Sequence, residues 1–182
     1  MNKFVLNANL GHSEAVKNIK EYQQNIVEKW RRLFKNDKSR LVAIEKLYLP
    51  FWCFNYEYQS RQMKNKIEGK VAVETYKHHT AILPDNTAFF ELTKDLTILP
   101  VKGKPVPEVA RNEIYWEAFG REKKRKDIKI EIVDTGLLYV PYWVGYVNKE
   151  EIDIVIVDAT TGKIDLGLKE SMLEAIMANS EK

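Results

Sequence analysis

A thiol and three imidazoles are the side chains of this sequence best suited to nucleophilic or metal-binding chemistry. They belong to Cys53, the one cysteine among 182 residues, and to His12, His78 and His79. Cys53 lies between two aromatic residues, where a small apolar filler is the favoured interpretation. Adjacent histidines in a strand point to opposite faces, and the H-x-x-x-H and H-E-x-x-H spacings of metal sites do not occur. We therefore predict no catalytic residue, no metal site and no cofactor, which favours a non-enzymatic protein.

A six-residue motif occurs twice in the chain. Leu47–Trp52 reads LYLPFW and Leu138–Trp143 reads LYVPYW, with four identical positions and an offset of 91 residues, half the chain length. Similarity at a fixed internal offset is typical of a repeated structural unit. The sequence therefore predicts two copies of one unit, over residues 1–91 and 92–182, with Trp52 and Trp143 in equivalent places.

Aromatic side chains surround both copies of this motif and are the main candidates for a binding site. Tyrosine and tryptophan combine a large apolar ring with a polar tip, so they suit both a core and an interface. One interpretation is that the rings form the cores of two small sheets. The other is that they line an apolar pocket or present a face to a partner. The residues concerned are Tyr48, Trp52, Phe54, Tyr56, Tyr139, Tyr142 and Trp143.

Basic residues are concentrated near the ends of two predicted helices, although the net charge is only +3. Cations at a helix C-terminus offset the partial negative charge of the helix dipole, and this is the favoured explanation. The alternative is a patch that binds the phosphates of nucleic acid. Such a patch would comprise Lys29, Arg31, Arg32, Lys35, Arg121, Lys123, Lys124 and Arg125.

Three amphipathic segments predict the helices that accompany these groups. Ser13 is the expected N-cap of the first helix and Asn36-Asp37 its end, whereas Pro107 stands near the start of the second. The predicted apolar faces are Ala15, Ile19, Tyr22, Ile26, Trp30 and Leu33 in the first helix, Ala110, Ile114 and Ala118 in the second, and Leu168, Met172 and Ile176 in the third, with Leu173 and Met177 alongside.

Alternating apolar residues predict strands after the first two helices. Trp52–Tyr58 alternates between two faces, and the expected partner strands are Lys70–Lys77 in the first copy and Ile152–Asp158 in the second. Short turns between strands imply antiparallel pairing. Because proline cannot donate a hydrogen bond to a ladder, Pro50 and Pro141 are expected to mark edges or bulges and to bend their strands.

The segment Ile152–Ile164, IDIVIVDATTGKI, resembles the end of a PepSY-type, cystatin-like unit, in which a strand hairpin closes with a V-D-A-x-T-G-x-I signature. Gly162 supplies the positive φ that the tight turn needs. The resemblance implies a small module of helix and antiparallel sheet, associated with binding or inhibition rather than with catalysis. The first copy has a longer hairpin and lacks the D-A-x-T-G element.

These features predict an α+β protein whose helices pack on a curved antiparallel sheet built from two tandem α-β units. The leading functional hypothesis is a non-enzymatic binding module that presents aromatic sheet surfaces to an unidentified protein or a small apolar ligand. A nucleic-acid-associated protein is the second hypothesis, and an enzyme with a pocket between the units is the third. No apolar run is long enough to span a membrane, so a cytoplasmic location is expected. Free sheet edges leave a homodimer open.

Overall fold

The computed structural model describes residues 2–31, 40–60, 65–122, 127–148 and 152–180, with all their side chains except those of 26–31 and 122. Within this part of the chain, three helices accompany a seven-stranded sheet that is mixed and not closed. The predicted α+β class is therefore confirmed. None of the described helices is long and apolar enough to cross a membrane.

The three helices are α1 (His12–Arg31), α2 (Pro107–Glu122) and α3 (Lys169–Ser180). Because α1 already begins at His12, Ser13 is not its N-cap; instead the Glu14 carboxylate accepts a hydrogen bond of 3.2 Å from the Gly11 N–H. The predicted end at Asn36-Asp37 lies outside the described residues. Pro107 is the first residue of α2, where its missing N–H costs no helical hydrogen bond.

The predicted apolar faces of the helices are confirmed in α2 and only partly in α3. Ala110, Ile114 and Ala118 are fully buried, as are Ala15 and Ile19 in α1. In α3, the buried residues are Ser171, Met172 and Ala175, whereas Leu173 and Met177 are 39% and 65% exposed. The predicted helical period is present there, but the residues that contact the sheet are displaced to one side of the predicted apolar face.

The seven strands are β1 (Lys3–Val5), β2 (Arg40–Gln59), β3 (Ile67–Glu74), β4 (Thr80–Leu83), β5 (Phe90–Glu91), β6 (Lys129–Asn148) and β7 (Ile152–Asp158). The bounds of β7 agree with its prediction. Those of β3 are shifted by three residues toward the N-terminus from Lys70–Lys77, because the chain turns away from the sheet directly after Glu74.

The strand order is β4-β3-β2-β6-β1-β5, and β7 also pairs with β6. The hairpin pairs β2–β3, β3–β4 and β6–β7 are antiparallel, as expected. The prediction of a wholly antiparallel sheet is wrong, because β1 runs parallel to β6 with Val5 opposite Tyr139. More than a hundred residues separate these two strands in the sequence, so no short turn fixes their relative direction.

Of the two predicted settings for Pro50 and Pro141, an edge strand or a bulge, the edge strand is not the one observed. Both lie inside 20-residue strands that have a neighbour on each side in the strand order. The proline immediately precedes the first pair of each hairpin ladder, Phe51 opposite Glu74 and Tyr142 opposite Asp158. Its carbonyl accepts the N–H of the residue after the partner strand, Thr75 or Ala159. The missing proline N–H therefore interrupts no bond within these ladders.

The residues fall into two compact units, each assembled from three segments of the chain. Unit 1 consists of Met1–Val5, Pro50–Leu92 and Pro100–Tyr139, and unit 2 of Leu6–Leu49, Thr93–Leu99 and Val140–Lys182. In unit 1, α2 contacts β3 and β4. In unit 2, α1 and α3 contact β7, and the core includes Ile19, Val147, Val155 and Val157. This division groups residues by contact and does not test the predicted sequence copies 1–91 and 92–182.

The turns that follow β3 and β7 have the same backbone pattern. The Glu74 N–H donates to the His79 carbonyl at 2.8 Å, and the Asp158 N–H donates to the Lys163 carbonyl at 2.9 Å. The fifth residue of each turn has a positive φ, 62° at His78 and 77° at Gly162. The positive φ that the sequence predicts at Gly162 is confirmed. The first hairpin closes with the same hydrogen bond and the same positive φ, although its sequence lacks the D-A-x-T-G motif.

Candidate functional site

The aromatic residues singled out by the sequence are mostly core residues. Tyr48, Trp52, Phe54, Tyr56, Tyr139 and Tyr142 are each 5% exposed or less, and Trp143 is half-buried. Trp52, Phe54, Tyr56 and Tyr139 belong to unit 1, whereas Tyr48, Tyr142 and Trp143 belong to unit 2. These rings therefore lie mostly in the interior of the unit to which each belongs, and their proposed role in binding stays a prediction.

Trp52 and Trp143 occupy matching places in their ladders but differ in hydrogen bonding. Trp52 pairs with Val73 and Trp143 pairs with Val157. The Trp143 indole N–H donates to the Leu10 carbonyl at 2.9 Å. The Trp52 indole N–H is buried and has no partner among the described residues.

Lys46 connects two of the predicted aromatic residues in unit 2. Its ammonium nitrogen lies 5.9 Å from the ring centroid of Tyr48 and 5.6 Å from that of Trp143. The His12 ring meets Trp143 edge-on at 5.5 Å. Cation–π attraction can hold the lysine there. The ammonium group of Lys46 therefore occupies the position beside both rings that a cationic ligand would take.

Burial suppresses the chemistry of the single thiol. Cys53 is 4% exposed, and desolvation raises its pKa to about 11, with Lys70 lowering and Asp134 raising it further by their charges. Such a thiol carries almost no thiolate at neutral pH. This setting matches the small apolar filler that the sequence favours.

The histidine pair lies in the turn after β3 and not in a strand, in contrast to the expectation. His78 and His79 are both exposed, and His78 adopts the left-handed conformation. No group of three or more histidine, cysteine, aspartate or glutamate residues in the described part of the chain could hold a metal ion.

An open pocket of about 570 Å³ lies in unit 1, on a different set of residues from the one predicted. The cross-strand pairs Asn55–Lys70 and Glu57–Glu68 form its floor. Leu83, Pro84 and Asp85 approach from the end of β4, and Val133 approaches from β6. We call this feature the Asn55 pocket; its walls are Asn55, Tyr56, Glu57, Glu68, Gly69, Lys70, Leu83, Pro84, Asp85 and Val133.

The charge of the Asn55 pocket is predominantly negative. Its walls contribute three carboxylates, from Glu57, Glu68 and Asp85, and one ammonium, from Lys70. The Lys66 ammonium pairs with Glu57, and this hydrogen bond raises the pKa of Lys66. The Lys70 ammonium lies 5.5 Å from the ring centroid of Phe89.

Two local features concern wall residues of the Asn55 pocket. The Tyr56 ring covers Gly69, its cross-strand partner, so closely that a Cβ built on Gly69 would lie 2.5 Å from the phenol oxygen. Burial is the main cause that raises the pKa of Tyr56, so the phenol is neutral at physiological pH. The side-chain oxygen of Asn55 is buried and has no hydrogen-bond partner in the described part of the structure.

Of the predicted aromatic residues, Tyr56 alone lines this pocket. The sequence does not single out the other wall residues. Two of them, Asn55 and Glu57, lie on the polar face of β2, on the side of the strand opposite to the predicted aromatic side chains. The sequence feature that could have indicated this site is the pair of alternate polar residues in β2, Asn55 and Glu57, which lie opposite Lys70 and Glu68 in β3.

Of the basic residues predicted for nucleic-acid binding, Arg121 is the one whose side chain the structure describes. Arg121 is exposed on α2 and donates to the Glu117 carboxylate at 2.7 Å. The side chains of Lys29 and Arg31 in α1 lie outside the described set. Arg32, Lys35, Lys123, Lys124 and Arg125 lie outside the described residues altogether.

Comparison of this chain with protein-family models, curated proteins and solved structures finds no match. The resemblance to PepSY-type units therefore stays a prediction that rests on Val157–Ile164 and its turn.

Proposed function

We propose that the protein is a non-enzymatic binding module and that the Asn55 pocket takes a polar ligand with a cationic amine or guanidinium group. The observation that supports it is the surplus of carboxylates around this cavity, whose walls carry those of Glu57, Glu68 and Asp85 against the one ammonium of Lys70.

The charges of the floor favour the same ligand class. Glu57 and Glu68 are directly opposite each other in the β2–β3 ladder. Like charges in such positions repel each other. Lys66 offsets part of the repulsion at Glu57, and a bound cation beside Glu68 would relieve the rest. The polar walls argue against the small apolar ligand that the sequence suggested.

We also propose that the chain consists of two tandem copies of one α-β unit, as the repeated six-residue motif predicts. The contacts that support it recur at matched positions: the motif tyrosines, Tyr48 and Tyr139, each pair with a parallel segment, at Ile98 and at Val5. The first residue after each turn pairs with the strand that precedes the turn: Thr80 lies opposite Val73 in β3, and Ile164 lies opposite Val157 in β7. Under this proposal one copy has developed a pocket, and the other has α3 after its turn.

Calorimetric titration with the tripeptide acetyl-Gly-Lys-Gly-amide tests the proposed ligand class. We expect saturable binding that weakens as salt rises, because carboxylate–ammonium attraction is screened. The same peptide with an acetylated lysine side chain is the matched probe, and it should bind at least tenfold more weakly. Equal binding of the two peptides, or no binding of either at millimolar concentration, would contradict the proposal.

Two variants locate the binding. Glu68→Gln should weaken binding several-fold, whereas Glu91→Gln, at an exposed position in unit 1 outside the pocket walls, should leave it unchanged. An unchanged affinity in Glu68→Gln would place the binding elsewhere.

A further inference from the structure

The polar residues of the Asn55 pocket form two rows that cross the strands of unit 1. In the first row Asn55 lies opposite Lys70, and Leu83 continues the row into β4. In the second row Glu57 lies opposite Glu68. Alternate residues of one strand lie about 6.6 Å apart on the same face. The floor therefore presents a cationic row and an anionic row at about that separation.

The charge of the first row belongs to Lys70. This residue is half-buried, and its ammonium nitrogen lies 5.5 Å from the ring centroid of Phe89. The Phe89 ring contacts that of Phe4, with centroids 5.4 Å apart. Lys70 forms no ion pair with a carboxylate in the part of the chain that the structure describes. Because an ammonium has three donors and the ring attracts it from one side, Lys70 can receive an anionic group.

The second row supplies the negative charge that the proposed function uses. The Glu57 carboxylate is paired with Lys66. Glu68 is exposed, as is Asp85 beyond the end of β4, and neither forms an ion pair with another described residue. The cationic group of a ligand is therefore expected beside Glu68, at the level of the floor below Lys70 along β3.

We propose that the ligand of the Asn55 pocket is a zwitterion, in which a carboxylate paired with Lys70 accompanies the cationic group beside Glu68. The carboxylate is added to the ligand class proposed above, on which this assignment rests. Lysine with a free α-carboxylate, alone or at the C-terminus of a peptide, has this chemistry, since a four-carbon stem separates its ammonium from the α-carbon. Leu83 and Val133 line the pocket with apolar surface against which such a stem packs.

Two other ligand classes match the charges of the floor less well. A ligand with a cationic group alone is repelled by Lys70. A phosphate brings a charge of about −1.5 to −2 at neutral pH, and the single ammonium of Lys70 does not offset it beside three carboxylates. One positive and one negative group match the two rows.

The test is calorimetric titration of the full-length protein with acetyl-Gly-Gly-Lys, which ends in a free carboxylate, and with its C-terminal amide. The peptide acid should bind about fivefold more tightly than the amide, which is the effect of one additional exposed charge pair. Nα-acetyl-lysine distinguishes the two sources of this chemistry. Its binding equals that of the peptide acid if the ligand is a free amino acid, and is weaker if the ligand is the end of a peptide.

Three variants assign the preference to Lys70. Lys70→Met should weaken binding of the acid and strengthen binding of the amide, so that the preference is lost or reversed. Lys70→Arg keeps the charge and should keep the preference. Lys104→Met removes a positive charge at an exposed position of unit 1 outside the pocket walls, and as the matched control it should change neither affinity.

Equal affinity for the two peptides, tighter binding of the amide, or a preference for the acid that persists in Lys70→Met would overturn the zwitterion and leave the proposed function in place. No binding of either peptide would overturn both. Because the preference is a ratio of two affinities measured on the same protein, partial unfolding of Lys70→Met does not change it.

Discussion

The turn after β3 and the turn after β7 reach one backbone geometry with different residues. Both begin with an acidic residue whose carboxylate accepts hydrogen bonds from following N–H groups. Glu74 accepts from Tyr76 and Lys77 at 2.6 and 2.8 Å, and Asp158 accepts from Thr160 and Thr161 at 2.7 and 3.3 Å. Both turns therefore share an acceptor in the first position and a left-handed residue in the fifth.

The surroundings of the two turns differ more than their backbones do. The Glu74 side chain is fully buried and the chain continues into β4, a strand of four paired residues. Asp158 is half-buried, and a single bridge at Ile164 precedes α3. The same turn thus extends a sheet in unit 1 and leads into a helix in unit 2. The difference teaches that the flanking segments, and not the turn, determine whether the chain continues as a strand or as a helix.

The largest expected effect is a difference in the free energy of unfolding between variants of the two acidic residues, Glu74 and Asp158. Glu74→Ala removes two hydrogen bonds to a buried carboxylate and should lower the free energy of unfolding by about 3 kcal/mol. Asp158→Ala removes bonds that water can partly replace and should cost about 1.5 kcal/mol. Urea titration measures both, with Glu108→Ala on the surface of α2 as control. Equal costs would mean that the burial of Glu74 does not matter.

A second comparison concerns Cys53 and Val144, which occupy matching positions after Pro50 and Pro141 in the two long strands. The pKa of Cys53 is raised to about 11 from the usual 9.0, so the unfolded chain loses this proton at lower pH than the folded one. The resulting stability is complete below pH 9 and is lost as the pH rises through 11. Cys53→Val should therefore remove about 2 kcal/mol of the loss between pH 9 and pH 11.

Urea titrations of both proteins at pH 8, 9.5 and 11 measure this effect, and any packing change appears equally at every pH. The tyrosines whose pKa values are raised, such as Tyr48 and Tyr139, remain in both proteins, so their contribution cancels. Parallel pH dependences of wild type and variant would show that Cys53 titrates as it does in the unfolded chain.

The smallest expected effect concerns the left-handed residues. Gly162→Ala places a Cβ 3.4 Å from the side chains of Asn18 and Leu10 at a positive φ, and it should cost about 1 kcal/mol. His78→Gly should gain about 0.5 kcal/mol, since relief of strain exceeds the extra entropy of the unfolded glycine. Thermal unfolding measures both. A loss of stability in His78→Gly would reveal a favourable contact of the imidazole.

Local patterns in the sequence predict the elements of this fold but not all of their pairings. Apolar periodicity identifies the buried face of α2, and strict alternation gives the bounds of β7, because both depend on residues close together in the chain. The parallel pairing of β1 with β6 involves three residues far from their partners. Nothing in the sequence of Lys3–Val5 encodes that choice, which depends on tertiary packing.

The candidate site was predictable only in part for a related reason. The pattern marks Trp52–Tyr58 as aromatic and Asn55 and Glu57 as polar, but it does not say which face of a strand another layer will cover. The rings became the interior, and the polar face became the floor of the Asn55 pocket. Tyr56 belongs to both sets, because it is a buried aromatic residue and also a wall residue of the pocket.

The two long strands have a consequence for any attempt to take the molecule apart. β2 passes from unit 2 to unit 1 at Leu49–Pro50, and β6 passes from unit 1 to unit 2 at Tyr139–Val140. No proteolytic nick and no recombination crossover at one point can therefore excise either unit from the other.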